Sequence, residues 1–204
     1  MDSKKVFVNC PFDKPFFPLL KSLLFTLIYL GFNPQISETA DCGQVRINRI
    51  KKLMKNSKYS IHDLSRMDPL KKGELPRFNM PFECGMDFGF KLSGKKVMDK
   101  KKFLILERKQ YRYKKVISDI SGHDIRSHKN NPEKLIRATR DWFAINNTKA
   151  DYAKEIWLAY IEFIFDYEAI ITSKGCDPND IFSLTFNDII IFMKAWINKY
   201  KIKS

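Results

Sequence analysis

Cysteine is sparse and unpaired. Cys10, Cys42, Cys84 and Cys176 are scattered through 204 residues, with no CxxC pair and no short Cys/His cluster. That spacing argues against a structural zinc site and against a disulfide framework. The eight glycines form no GxGxxG, no GxxxxGKS/T and no GxSxG. The dinucleotide fingerprint, the phosphate-cradling P-loop and the serine-hydrolase elbow are therefore missing. The longest apolar run, residues 22–32, is too short to span a bilayer. Met1-Asp-Ser-Lys-Lys5 leads straight into a strand-like segment with no signal-peptide pattern. The expectation is a cytoplasmic protein without membrane contact.

Acids are also short, 23 against 37 Lys and Arg, giving a formal net charge of +14. The excess is uneven: residues 91–116 hold eleven Lys/Arg against Asp99 and Glu107. Such a segment suits nucleic acid or another polyanion, and it equally suits a solvated surface. What is abundant is aromatic and aliphatic mass, with 17 phenylalanines and 44% hydrophobic residues. That composition buries a core and excludes a disordered chain.

The pattern alternates strand and helix. Lys5 to Asn9 reads as a first strand, Pro15 to Gly31 as a buried helix stopped by glycine, and residues 34–37 as a weak second strand. Residues 44–58 place Val45, Ile47, Ile50, Leu53 and Met54 on one helical face. Tyr59 to Leu64 is a third strand, and Pro81 suits the first turn of a helix over residues 82–92. Residues 102–106 form a fourth strand, 124–126 a weak fifth, and Asn131-Pro132 opens another helix. Alternation of this kind implies a parallel sheet with right-handed crossovers. The fold class expected is α/β: a flavodoxin-like, TIR-like parallel sheet with helices on both faces over residues 1–145. Residues 146–204 are expected to add a C-terminal helical region from two aromatic-rich helices, the last capped by Thr185.

In an open α/β sheet, ligands bind outside the carboxyl ends of the strands. Loops after the first three strands would bring there Asn9, Asp13, Asp41, Asp63, Arg66, Arg77, Asn79 and Glu83. Glu83 is placed in the first turn of its helix, where the helix dipole alone also favours an acid. Gly85 and Gly89 cost helix stability, which points to close approach of another surface or a bound ring. Asp63 is read either as a functional carboxylate or as a cap on backbone amides. Arg66 and Arg77 bind phosphate, pair with acids or face water. His62 reads as a packed histidine, and His123 with His128 lacks a third metal ligand, so no metal site is expected.

VFVNCPFD at 6–13, YSIHDLSR at 59–66 and LPRFNMPFECG at 75–85 together resemble a bacterial protein family carrying these motifs, as do SDISGHDIR at 118–126 and LTFND at 184–188. More distantly, the acid-ended strand followed by a Phe-Glu-x-Gly helix is similar to TIR-type NAD hydrolases and nucleoside 2-deoxyribosyltransferases. In both groups a glutamate at a flavodoxin-like sheet edge acts at the anomeric carbon of an N-riboside. The resemblance implies Glu83 as catalytic carboxylate, Asp63 positioning base or sugar, and Asn9 with Phe12 lining a ribose pocket. Asp13, Asp41, Arg66, Arg77, Asn79 and Gly85 complete the expected substrate-binding set. It also implies NAD or a related nucleotide as substrate, with no cofactor, in an anti-phage effector that assembles with itself or a defence-system partner. The alternatives are a nucleotide-signal sensor without catalysis and a nucleic-acid-binding accessory using residues 91–116.

Overall fold

Val6, Phe7 and Val8 carry the first apolar burst of the chain into the centre of a sheet and are fully buried. The computed structural model describes residues 1–37, 45–67, 69, 71–120, 122–146, 149–180 and 184–203. Five strands are described: β1 (Asp2–Asn9), β2 (Asn33–Gln35), β3 (Ser57–Asp63), β4 (Lys102–Glu107) and β5 (Arg126–Ser127). They lie in the order β2-β1-β3-β4-β5, and every pairing is parallel. This is the flavodoxin-like order, with its reversal point between β1 and β3. The fifth strand starts at Arg126 rather than Asp124, and the third starts two residues early at Ser57.

The chain forms two compact units, Met1–Pro11 with Asn33–Lys129 and Phe12–Phe32 with Asn130–Ser204. The first unit holds the strands with α2 (Arg46–Asn56), α3 (Asn79–Lys91) and the short α4 (Lys96–Asp99). Phe7, Ile50 and Met54 form one buried cluster there, joined by Leu53, Met86 and Phe90. Leu64, Met67, Met80, Cys84, Ile105, Tyr113 and Ile125 form another. The inward stripe of α3 is therefore Met80, Glu83, Cys84 and Asp87, a helical i, i+3, i+4, i+7 set that includes two acids.

The second unit is helical: α1 (Phe17–Tyr29), α5 (Pro132–Ile145), α6 (Ala153–Ser173) and α7 (Phe186–Lys203). The boundary thus falls differently from the expected division at residue 145, because α1 and α5 group with the C-terminal helices. Phe25 of α1 lies 5.1–5.9 Å from the rings of Phe163, Tyr160 and Trp196. The termini follow local chemistry. Gly31, at φ 79°, closes α1 with Gly31 N–H on Ile28 O and Phe32 N–H on Leu27 O, a Schellman ending. Asn131 caps α5 by accepting from Lys134 N–H at 2.9 Å, with Pro132 at the first position. Thr185 accepts from Asp188 N–H, and Asp188 reaches back to Thr185 N–H, a reciprocal cap on α7. Among the described residues no helix is long and apolar enough to cross a membrane.

Candidate functional site

β1 and β3 run in register with Asn9 beside His62, so these two side chains share one face at the carboxyl end of the sheet. Asn9 is buried, and its Nδ2 donates to His62 Nδ1 at 3.0 Å and to Met80 O at 2.9 Å. Because Nδ1 accepts, the ring proton sits on Nε2, which lies 3.3 Å from Asp87 Oδ2. Asp87 Oδ1 lies 3.0 Å from Lys101 Nζ, and both side chains are fully buried. Lys101 also donates to Met54 O at 2.7 Å and Ser57 O at 3.0 Å. A polar chain thus runs Asn9, His62, Asp87, Lys101 beneath α3 and fixes that helix on the sheet. Burial pushes Asp87 up, but the hydrogen bond from His62, the charge of Lys101 and the hydrogen bond from Ser60 hold it below the usual carboxylate range.

Glu83 sits one helical turn before Asp87 on the same inward stripe. The helix begins at Asn79, three residues earlier than expected, so Glu83 is its fifth residue and the first turn holds no acid. The helix dipole, which acts within the first turn, therefore does not account for this glutamate. Glu83 is 7% exposed. Among the described residues no hydrogen bond or ion pair reaches its carboxylate. Burial pushes its pKa up, and the charge of Arg46, the first residue of α2, pulls it back. Met80, held by Asn9, ties this part of α3 to the reversal point between β1 and β3.

Asp63 follows His62 and by strand alternation faces the other way. It is fully buried, with Oδ1 accepting from Ser65 N–H at 2.9 Å and Oδ2 3.0 Å from His128 Nε2. The first contact is a local Asx turn, the capping alternative of the two readings. Ser65 Oγ also lies 3.0 Å from His128 Nε2. A catalytic Ser-His-Asp triad needs acid and serine on different ring nitrogens, so this cluster is not one. No hydrogen bond or ion pair joins Asp63 to Glu83. Beyond it, Glu107 at the end of β4 is buried and accepts from Tyr113 N–H at 3.1 Å. Burial pushes Glu107 up, offset by backbone N–H groups of Tyr113, Arg112 and Tyr111.

The remaining expected residues disperse. Arg66 is buried in the 3-10 turn after β3, and its carbonyl accepts from Arg77 N–H at 2.9 Å. Arg77 and Asn79 are exposed. Gly85 lies on the other flank of α3 from Glu83, beside a cavity of about 270 Å³ lined also by Pro81, Phe88, Ile117 and His123. A Cβ at Gly85 or Gly89 would meet nothing within 4 Å, so among the described residues none makes the close approach expected there. Asp13 caps a 3-10 turn by accepting from Phe16 N–H, and the Phe12 ring lies 5.2 Å from that of Phe186. Both belong to the helical unit, whereas Asn9 belongs to the sheet unit. Asp41 lies outside the described residues.

Lys101, Asp87, Glu107 and Arg46 were not among the expected site residues, and His128 was weighed only as a metal ligand. Asp87 had a visible signal: with Glu83 it places a second acid on the buried stripe of an amphipathic helix. Lys101 had none, being one of a run of lysines. Comparison with protein-family models, with curated proteins and with solved structures finds no match to this chain.

Proposed function

We propose that the protein cleaves an N-glycosidic bond of NAD or a related nucleotide, with Glu83 as the working carboxylate. One observation carries this: Glu83 is 7% exposed on the inward stripe of α3, has no hydrogen-bond or ion-pair partner among the described residues, and lies outside the first helical turn. Buried carboxylates in settled structures are paired, as Asp63 and Asp87 are here. An unpaired one beside the reversal point of a parallel sheet is placed where such sheets bind ligands.

The chemistry follows from its electrostatics. Departure of the base builds positive charge on the ribose ring. Burial disfavours ionised Glu83, so a cation forming in front of it recovers energy that the empty site lacks. That gain is larger in the transition state than in the ground state, as catalysis requires. The nicotinamide ring of NAD carries the positive charge and leaves as a neutral base when its bond to the ribose breaks, so one carboxylate suffices and no general acid is needed; water then bonds to the anomeric carbon and gives up a proton. Asp63, buried with Oδ1 accepting from Ser65 N–H, acts as a positioning residue for the turn at Ser65. A cytoplasmic, self-assembling defence effector is the setting that goes with this activity.

The test is incubation of the full chain with NAD and a nucleoside panel, with chromatography for the released base. Glu83→Gln abolishes release while the circular dichroism spectrum is unchanged. Release undiminished in that variant overturns the assignment. Binding of NAD by calorimetry with no product from the wild type moves the function to nucleotide sensing.

A further inference from the structure

Helix α6 is apolar on two opposite faces. Its inner stripe, Ile156, Ala159, Phe163, Tyr167 and Ile171, is buried. On the opposite side Leu158, Ile161 and Phe165 are 51%, 47% and 75% exposed. A helix apolar all round is normally covered all round.

The outer positions follow a strict order. Residues 154, 158, 161, 165, 168 and 172 alternate steps of four and three, the spacing of a helix-pairing seam. The seam is apolar in the middle, with the exposed cation Lys154 towards one end and the exposed acid Glu168 towards the other. Glu168 also acts on the buried Lys21, whose pKa burial lowers. Turning a second α6 about a two-fold axis through Ile161 sets Leu158 beside Phe165 of the copy. The same rotation sets Lys154 beside Glu168 of the copy, and symmetry repeats both contacts. Parallel pairing would instead stack Lys154 on Lys154 and Glu168 on Glu168.

We propose that the outer face of α6 is a self-association surface on which two copies of this chain pair antiparallel. The charges on the helix argue against a lipid occupant. Glu155, Glu162, Asp166 and Glu168 are exposed against Lys154 alone, and an anionic bilayer repels that balance. Self-pairing is the arrangement in which the only cation of α6's exposed face meets an acid.

The experiment is sedimentation velocity of the full chain over a concentration series, with thermal melts as the folding control. The wild type shows concentration-dependent dimers. Phe165→Glu is monomeric with an unchanged melt, because the ring it replaces is solvent-facing. Lys154→Glu and Glu168→Lys each weaken the dimer about tenfold, by turning two attractive contacts into repulsive ones. The double variant, carrying both changes, regains wild-type affinity. A wild type that is monomeric throughout, dimers untouched by Phe165→Glu, or a double variant no better than the singles overturns the proposal. None of these outcomes depends on whether Glu83 is catalytic.

Discussion

Replacing Lys101 by methionine is the most informative single perturbation of the sheet unit. Lys101 is fully buried, with Nζ within 3.0 Å of Asp87 Oδ1, Met54 O and Ser57 O. Methionine keeps the length of the side chain and removes its charge and donors. Asp87 then keeps the hydrogen bonds of His62 and Ser60 but loses the cation beside it, leaving an uncompensated negative charge in the interior. Breaking a buried pair by removing one partner costs about 3–5 kcal/mol. That is a large share of the roughly 5–15 kcal/mol that holds a typical domain folded. Adding Asp87→Asn removes the stranded charge while leaving His62 an oxygen to bond, so at least about 2 kcal/mol of the loss returns.

The sign with pH follows. Asp87 titrates below its ordinary range when folded, so its stabilising contribution is present above the unfolded value and is lost as pH falls through the folded one. The gap between wild type and Lys101→Met therefore narrows in acid. The assay is a urea titration by far-ultraviolet circular dichroism, with hydrogen exchange reading the β1 and β3 amides. Tryptophan fluorescence would report elsewhere, since Trp142, Trp157 and Trp196 all lie in the helical unit. A loss under about 1 kcal/mol, or a double variant no more stable than the single, refutes the network as the clamp on α3.

Other consequences are smaller and independent. Gly85→Ala and Gly89→Ala each stabilise the protein by about 0.5–1 kcal/mol in thermal melts, because the added methyl meets nothing within 4 Å and helical glycine is unfavourable. Glu83→Gln leaves stability nearly unchanged in acid and raises it at neutral pH. The folded-state pKa of Glu83 is raised, so its contribution is fully present below the unfolded value and is lost as pH rises through the folded one. Urea midpoints across that range check this, and a variant less stable at neutral pH contradicts the unpaired placement. Asn9→Ala strips the donor from His62 Nδ1 and Met80 O, and costs about 1–3 kcal/mol by chemical denaturation.

The main strands and most helix ends were legible because they rest on local chemistry. Val6 to Val8 announces a buried parallel strand, Gly31 a helix stop, and Asn131-Pro132 and Thr185 helix starts. Pro81 misled by three residues: a proline is tolerated anywhere in the first turn, where no N–H has a partner, so it marks the turn and not its first residue. Lys101 was illegible because nothing local separates it from Lys100 or Lys102; only Asp87, brought close by α3, makes its burial tolerable. His128 was likewise hidden, since its partner Asp63 is distant in sequence and meets it only through β4 and β5. Of the candidate site, Asn9 and the helix bearing Glu83 were readable from the turn residues around them. The assignment of Phe12 and Asp13 to a different unit from Asn9 was not, because a break between compact units leaves no mark in so short a stretch.

Catalysis by Glu83 is decided by following nicotinamide release from NAD as a function of pH, in the wild type and in Glu83→Gln. The wild-type rate should rise with pH through a raised glutamate titration and level off, while Glu83→Gln releases no nicotinamide at any pH. Equal release by the two proteins, with the same pH profile, would contradict it.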